Sequence, residues 1–225
     1  MAPDTATRTT PDTAAEDPAG PHRPTSFPAA RPGPALPPER VSPGDRAEGF
    51  QPGDFLLVDT KGLGGRLIKF GQGLRLRGDD RRYVRWSHAA LIADADGTLI
   101  EAVGTGVRQF PLSGYDEKDY LVVRIVASAE NRAEIVGFAR WALERRARYN
   151  PVAIVSIGLS MLTGSKLAFF LEGCFVCSSL VARALERSDR IFDRDPAHIA
   201  PADLAKYYAA GSVRADRSEA LVPAA

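Results

Sequence analysis

Residues 86–103 read WSHAALIADADGTLIEAV, and the fold turns on how this stretch doubles back. Two short β-prone runs flank Asp94, Ala95, Asp96 and Gly97, residue types that favour a tight reversal. If Ala93 and Thr98 close a hairpin around those residues, His88 faces Val103. Glu101 then faces Ala90, on the same side of the sheet as His88. Diagonal neighbours of this kind stand about 7–8 Å apart, within reach of a glutamate side chain. A loop one residue longer or shorter puts Glu101 on the other face, as an ordinary exposed strand carboxylate.

Further short β-prone runs lie on either side of the hairpin: FLLV at 55–58, VRQF at 107–110 after the Gly104-Thr105-Gly106 break, and YLVVRIV at 120–126. The two hairpin strands, VRQF and YLVVRIV suggest an antiparallel meander, with FLLV a separate strand before it. Leu63, Leu67, Ile68, Phe70, Gly71 and Leu74 fall near helical spacing and predict a short amphipathic helix, followed by a polar, solvated basic loop over Arg75 to Arg85. A helix over 130–148 carries Ile135, Phe138, Ala139, Ala142 and Leu143 on one face. A buried helix or acyl-facing wall is expected over 153–162, too short to span a bilayer. Helices are also expected over 177–187 and from Pro201 to Tyr207. The class is α+β.

The chain has 225 residues, a net charge of +1 and 44% hydrophobic residues, enough for one core. The charge balance supplies no field to hold nucleic acid. Eleven of the seventeen prolines fall in residues 1–46, with few large apolar side chains. That stretch reads as a disordered arm, 47–210 as the folded domain and 211–225 as a disordered tail. Pro-rich segments such as RPGPALPP could dock in a peptide groove. The N-terminus lacks the pattern of a secretory signal, and two cysteines are too few for a disulfide framework, so a cytoplasmic location is expected. No transmembrane segment and no cofactor are expected.

The two cysteines, Cys174 and Cys177, stand before an apolar helical pattern. A cysteine nucleophile needs a lowered pKa, which a helix start provides through free N–H groups and the helix dipole. Cys177 is placed there. Its base must come from three histidines: His22 lies in the arm, His198 in a polar loop, and His88 in the first strand of the hairpin. His88 is the stronger candidate, although a lone strand histidine is more often structural.

The strings GDFLLVD, WSHAAL, IEAVGTGV, RYNP and FVCSSLVARAL, in that order, resemble the circularly permuted NlpC-type papain-like hydrolases, the YiiX/YebB-like group. The resemblance covers roughly residues 50–209. It implies a small antiparallel sheet packed against helices, with Cys177 as nucleophile, His88 as base and Glu101 as orienting acid. Tyr149 matches a recurring Tyr-Asp pair, with Asn150 in place of the Asp, and Ser179 replaces the usual Glu after Cys-Ser. Tyr149 and Ser178 are secondary or oxyanion candidates. The implied activity is that of an amidase or thiol protease acting on an amide or ester in a peptide, cell-wall fragment or lipid.

Three other readings compete. Cys174-Phe-Val-Cys177 is formally a C-x-x-C, a redox pair or half a metal site, but no second pair accompanies it, and no metal is expected. A lipid acyltransferase or phospholipase-like enzyme of the same fold would use the apolar stretches 153–162 and 167–171. A non-catalytic binding module would keep the fold alone.

Overall fold

In the computed structural model, which describes residues 30–145 and 177–209, the decisive turn is organised by Asp94. Its Oδ1 accepts the N–H groups of Asp96 (3.1 Å) and Thr98 (2.8 Å). Gly97 takes φ +84°, a left-handed conformation that a side chain opposes. The turn joins β3 (His88–Ile92) to β4 (Thr98–Val103), pairing Leu91 with Ile100 and Ile92 with Leu99. Ala93 N donates to Thr98 O at 2.7 Å. The register is the one that a four-residue loop dictates.

Gly104 and Thr105 then connect β4 to β5 (Gly106–Pro111), setting Glu101 opposite Arg108. β2 (Phe55–Val58) pairs with β3 on one side and with β6 (Tyr120–Val123) on the other, and β1 (Glu39–Val41) lies outside β6. The class is α+β, with one six-stranded antiparallel sheet ordered β1-β6-β2-β3-β4-β5. The meander expectation needs correction at its last step, because β6 crosses to the far side of β2 instead of following β5. FLLV and YLVV are buried at every position, whereas β5 is largely exposed. Continuously apolar strands take the centre of the sheet and the more polar one takes the edge.

The start of the folded unit also moves. Residues 30–46, assigned above to the disordered arm, include β1, and Val41 is buried. Arg31 bridges to Ile191, and Tyr208 Oη donates to Pro32 O at 2.7 Å. A three-residue edge strand needs little apolar content of its own when its neighbour supplies the ladder. The earlier part of the arm, the tail from 211 and the helix expected over 153–162 lie outside the described residues.

One face of the sheet, carrying Phe55, Leu57, Ala89, Leu91 and Ile100, is covered by α2 (Ala129–Glu144), α3 (Cys177–Glu186) and α4 (Pro201–Tyr207). The other face, with Leu56, Val58, Ala90, Ile92 and Leu99, packs against Leu112 and Tyr115 of a 3-10 turn. Asp54, ahead of β2, ties strands to helix: it is buried and accepts from Gln51 N (2.8 Å), Ile125 N (3.0 Å) and Arg132 Nη1 (2.9 Å). Asp54→Ala leaves those donors without their acceptor and is expected to cost about 3 kcal/mol, read as a lower urea midpoint at unchanged slope.

α1 (Leu63–Arg75) forms at the expected residues, yet its polarity is reversed. An amphipathic helix ordinarily turns its apolar stripe inward. Here Gly65, Gly71 and Gln72 are the buried residues, and Leu63, Leu67, Phe70 and Leu74 face outward. Gln72 fixes the orientation by donating to Val84 O (3.2 Å) and Trp86 O (2.9 Å) and accepting from Ala202 N (2.9 Å). Gly65 allows the close approach, since a Cβ there would lie 2.6 Å from Thr60 O. The loop that follows is not simply solvated as expected. Gly78–Arg85 forms a 3-10 helix with Tyr83 buried, and Arg75 and Lys206 pair with Asp203 and Asp80, each at 2.6 Å.

Candidate active site

The hairpin register carries the chemistry of the site. His88, the first residue of β3, and Glu101, in the middle of β4, fall on the sheet face shared with Ala90 and Leu99, and His88 Nε2 lies 2.7 Å from Glu101 Oε2. Glu101 is completely buried, so its charge needs partners. It has three. Arg108, its cross-strand neighbour, approaches Oε1 through Nε (2.8 Å) and Nη2 (2.7 Å), Tyr115 Oη donates to Oε2, and the third is His88. The Tyr115 ring also stacks beside the His88 ring, with centroids 6.2 Å apart.

Cys177 approaches from the helical side. Backbone alternation explains how it gets in. Ile92 N donates to Asp54 O toward β2, and Ala93 N donates to Thr98 O toward β4. By the same alternation Ala89 N–H points toward β4, where the ladder pairs only Leu91 and Ile92. The strands part before Ala89, and its N–H is hydrogen-bonded to Cys177, at the first turn of α3, instead. The Ser178 N–H also bonds to Cys177. With Nε2 directed at Glu101, Nδ1 is the ring nitrogen left for the hydrogen bond between His88 and Cys177.

Burial alone pushes the Cys177 thiol up, but the His88 charge, its hydrogen bond and the two backbone N–H groups outweigh burial and lower the pKa. Burial alone pushes His88 down. The Cys177 charge and hydrogen bond, followed by those of Glu101, raise it to about 9. Glu101 resists its own desolvation through His88, Tyr115 and Arg108 and sits at about 2. The direction of each shift favours a thiolate–imidazolium pair held by a carboxylate that is charged at neutral pH.

The structure therefore brings together Cys177, His88 and Glu101, whose sequence positions span three elements. Ser178 is adjacent, but its Oγ donates to Ile199 O at 2.6 Å, so its hydroxyl anchors the helix and its contribution to the site is the N–H. His198 is exposed in the 3-10 turn Pro196–His198 and is not the histidine at Cys177. Tyr149 and Cys174 lie outside the described residues. Ser179, standing where the resembling family has Glu, is buried in α3. Among the described residues, no group of three or more His, Cys, Asp and Glu could hold a metal ion, and no helix is long and apolar enough to cross a membrane.

Arg108 and Tyr115 were not identified from the sequence. Arg108 carried a signal: a two-residue reversal at Gly104-Thr105 places it directly opposite Glu101. Tyr115 carried none, because it reaches the site from the far end of β5 through a 3-10 turn (Leu112–Tyr115). No family model matches the chain, and a search of curated proteins finds no match.

Proposed function

We propose that the protein is a cysteine-dependent hydrolase of the amidase or peptidase type, with the permuted NlpC-like arrangement suggested by its strings of sequence. The observation that carries this reading is the chain of hydrogen bonds Cys177–His88–Glu101, at the start of a helix and with the charge directions described above. The Cys177 thiolate attacks the carbonyl carbon of an amide or ester. Backbone N–H groups at the first turn of α3 are the available donors to the developing oxyanion. As the tetrahedral centre collapses, the bond to the leaving group breaks and the imidazolium gives that group its proton. His88, now neutral, takes a proton from water, whose oxygen attacks the thioester; the C–S bond breaks, the acid is released and the thiolate–imidazolium pair is restored. Glu101 keeps the imidazole oriented and its cation stabilised throughout, without itself taking the proton.

The test is acyl-enzyme trapping with an activated ester, followed by turnover of peptide amides and acyl esters. Wild type is expected to show a mass adduct on Cys177 and turnover. Replacing His88 by Ala should lower turnover about 10²–10⁴-fold. Turnover should also fall as the pH rises through about 9, where His88 loses the proton destined for the leaving group. A protein that forms no adduct with any such ester would instead be the binding module, with the fold retained and the chemistry lost.

A further inference from the structure

The reversed helix α1 exposes the apolar stripe that its sequence would lead one to bury. Leu63, Leu67, Phe70 and Leu74 are 84%, 56%, 59% and 42% exposed, and they account for most of the large apolar side chains exposed among the described residues. At about 100° per residue the four lie within a strip roughly 60° wide along the helix. This is not a packing accident of a loosely held element, because Gln72 and Gly65 pin the opposite side of the helix to the protein.

The helix that carries the stripe is itself cationic, with Asp59 before it and Asp79 and Asp80 after it. Residues 61–78 read KGLGGRLIKFGQGLRLRG, with five cations and no carboxylate. Lys69 pairs with Asp59 and Arg75 with Asp203. Lys61, Arg66 and Arg77 are exposed and have no ion pair among the described residues. We infer that α1 is a docking helix for an anionic membrane surface, inserting its four apolar side chains at the headgroup boundary while the flanking cations meet lipid phosphate and carboxylate groups. An amphipathic helix with a basic flank binds such a surface by both effects.

A second copy of this chain is a poorer occupant. A two-fold contact through the same face sets Lys61, Arg66 and Arg77 against themselves. The geometry also orients the bound protein. α1 follows β2, whose last residue, Val58, pairs with His88, and Thr60 N donates to Ser87 Oγ at 3.0 Å. The beginning of the docking helix is thus tied to the residue beside His88, so the candidate site lies at the membrane-proximal end of the sheet. Docking does not depend on turnover by Cys177.

The experiment is flotation of the full chain with phosphatidylcholine vesicles containing about one third phosphatidylserine, against pure phosphatidylcholine. Wild type, Phe70→Glu, Leu67→Glu and Arg66→Glu are compared, with thermal melts and light-scattering mass on each. Expected are flotation with the anionic vesicles, weakened by added salt, at least about 10-fold weaker binding in Phe70→Glu and Leu67→Glu, and a smaller loss in Arg66→Glu, all with unchanged melts. Absence of wild-type flotation overturns the inference. So does flotation that the glutamate variants do not weaken. A dimer that Phe70→Glu dissolves assigns the stripe to a second copy, and a large drop in melting temperature for that variant assigns it to the protein's own chain; either result overturns membrane docking.

Discussion

Near pH 6.5, a small iodoacetamide-type probe is expected to alkylate Cys177 in the native protein at least about 10-fold faster than in His88→Ala. An ordinary thiol with a pKa near 8.5 is only about 1% ionised there, whereas the His88 charge and hydrogen bond lower the Cys177 pKa and so enlarge its ionised fraction. The advantage in rate is smaller than the advantage in population, because a low-pKa thiolate is intrinsically less reactive, with a Brønsted slope of about 0.4–0.5. Cys177 is only 8% exposed, so the comparison that matters is between variants with the same access. In His88→Ala, burial acts on the thiol with its main counterweight removed, and its pKa rises. The ratio should shrink toward alkaline pH as the variant ionises too. Intact-mass kinetics across pH measure it, with Cys177→Ser identifying the labelled site. Equal rates for wild type and His88→Ala near pH 6.5 would sink the ion pair, and with it the proposed nucleophile.

Glu101→Ala is expected to be the most damaging single substitution at the site. It leaves Arg108, Tyr115 and His88 without the carboxylate they share, and loss of one member of a buried charged cluster costs about 3–5 kcal/mol. The pH dependence gives the same scale. Glu101 is held at about 2 against an ordinary 4.5, which contributes on the order of 3 kcal/mol. A depressed carboxyl gives its stability above the unfolded value, so this contribution is complete above about 4.5 and disappears as the pH falls through about 2. Urea unfolding of wild type at descending pH should show that acid limb, and Glu101→Ala should flatten it. Glu101→Gln keeps an oxygen acceptor and loses the charge, so it should fold better than the alanine variant while still lowering the His88 pKa below about 9. A variant as stable as wild type from acid to neutral pH would mean that the carboxylate bears no charge in the folded protein.

How legible all this was depended on what each inference required. The pairing of His88 with Glu101 needed only a loop length, and Asp94-Ala-Asp-Gly97 supplied it through the Asp94 turn bonds and the φ of Gly97. Arg108 needed the next loop length, which was also written in the sequence. The placement of β6 beside β2 depended on competition between strands for the centre of the sheet, which periodicity within one strand does not describe. β1 was missed because its stability lies in its neighbour's hydrogen-bonding groups and not in its own residues. The facing of α1 was missed for a different reason: hydrophobic spacing locates a helix, but a single buried glutamine with three backbone partners outweighed four large apolar side chains in deciding which side turned inward.

The contacts of Tyr208 with Pro32 and of Arg31 with Ile191 bring the two ends of the described fold together. Topologically the domain is then close to a ring, and the order in which the chain visits the base and the nucleophile records where that ring is cut. A short linker from 209 to 30, with a new opening in an exposed turn such as Gly104-Thr105, would reorder the chain without moving Cys177 relative to His88. The architecture can therefore present the same thiol and imidazole from either order along a gene.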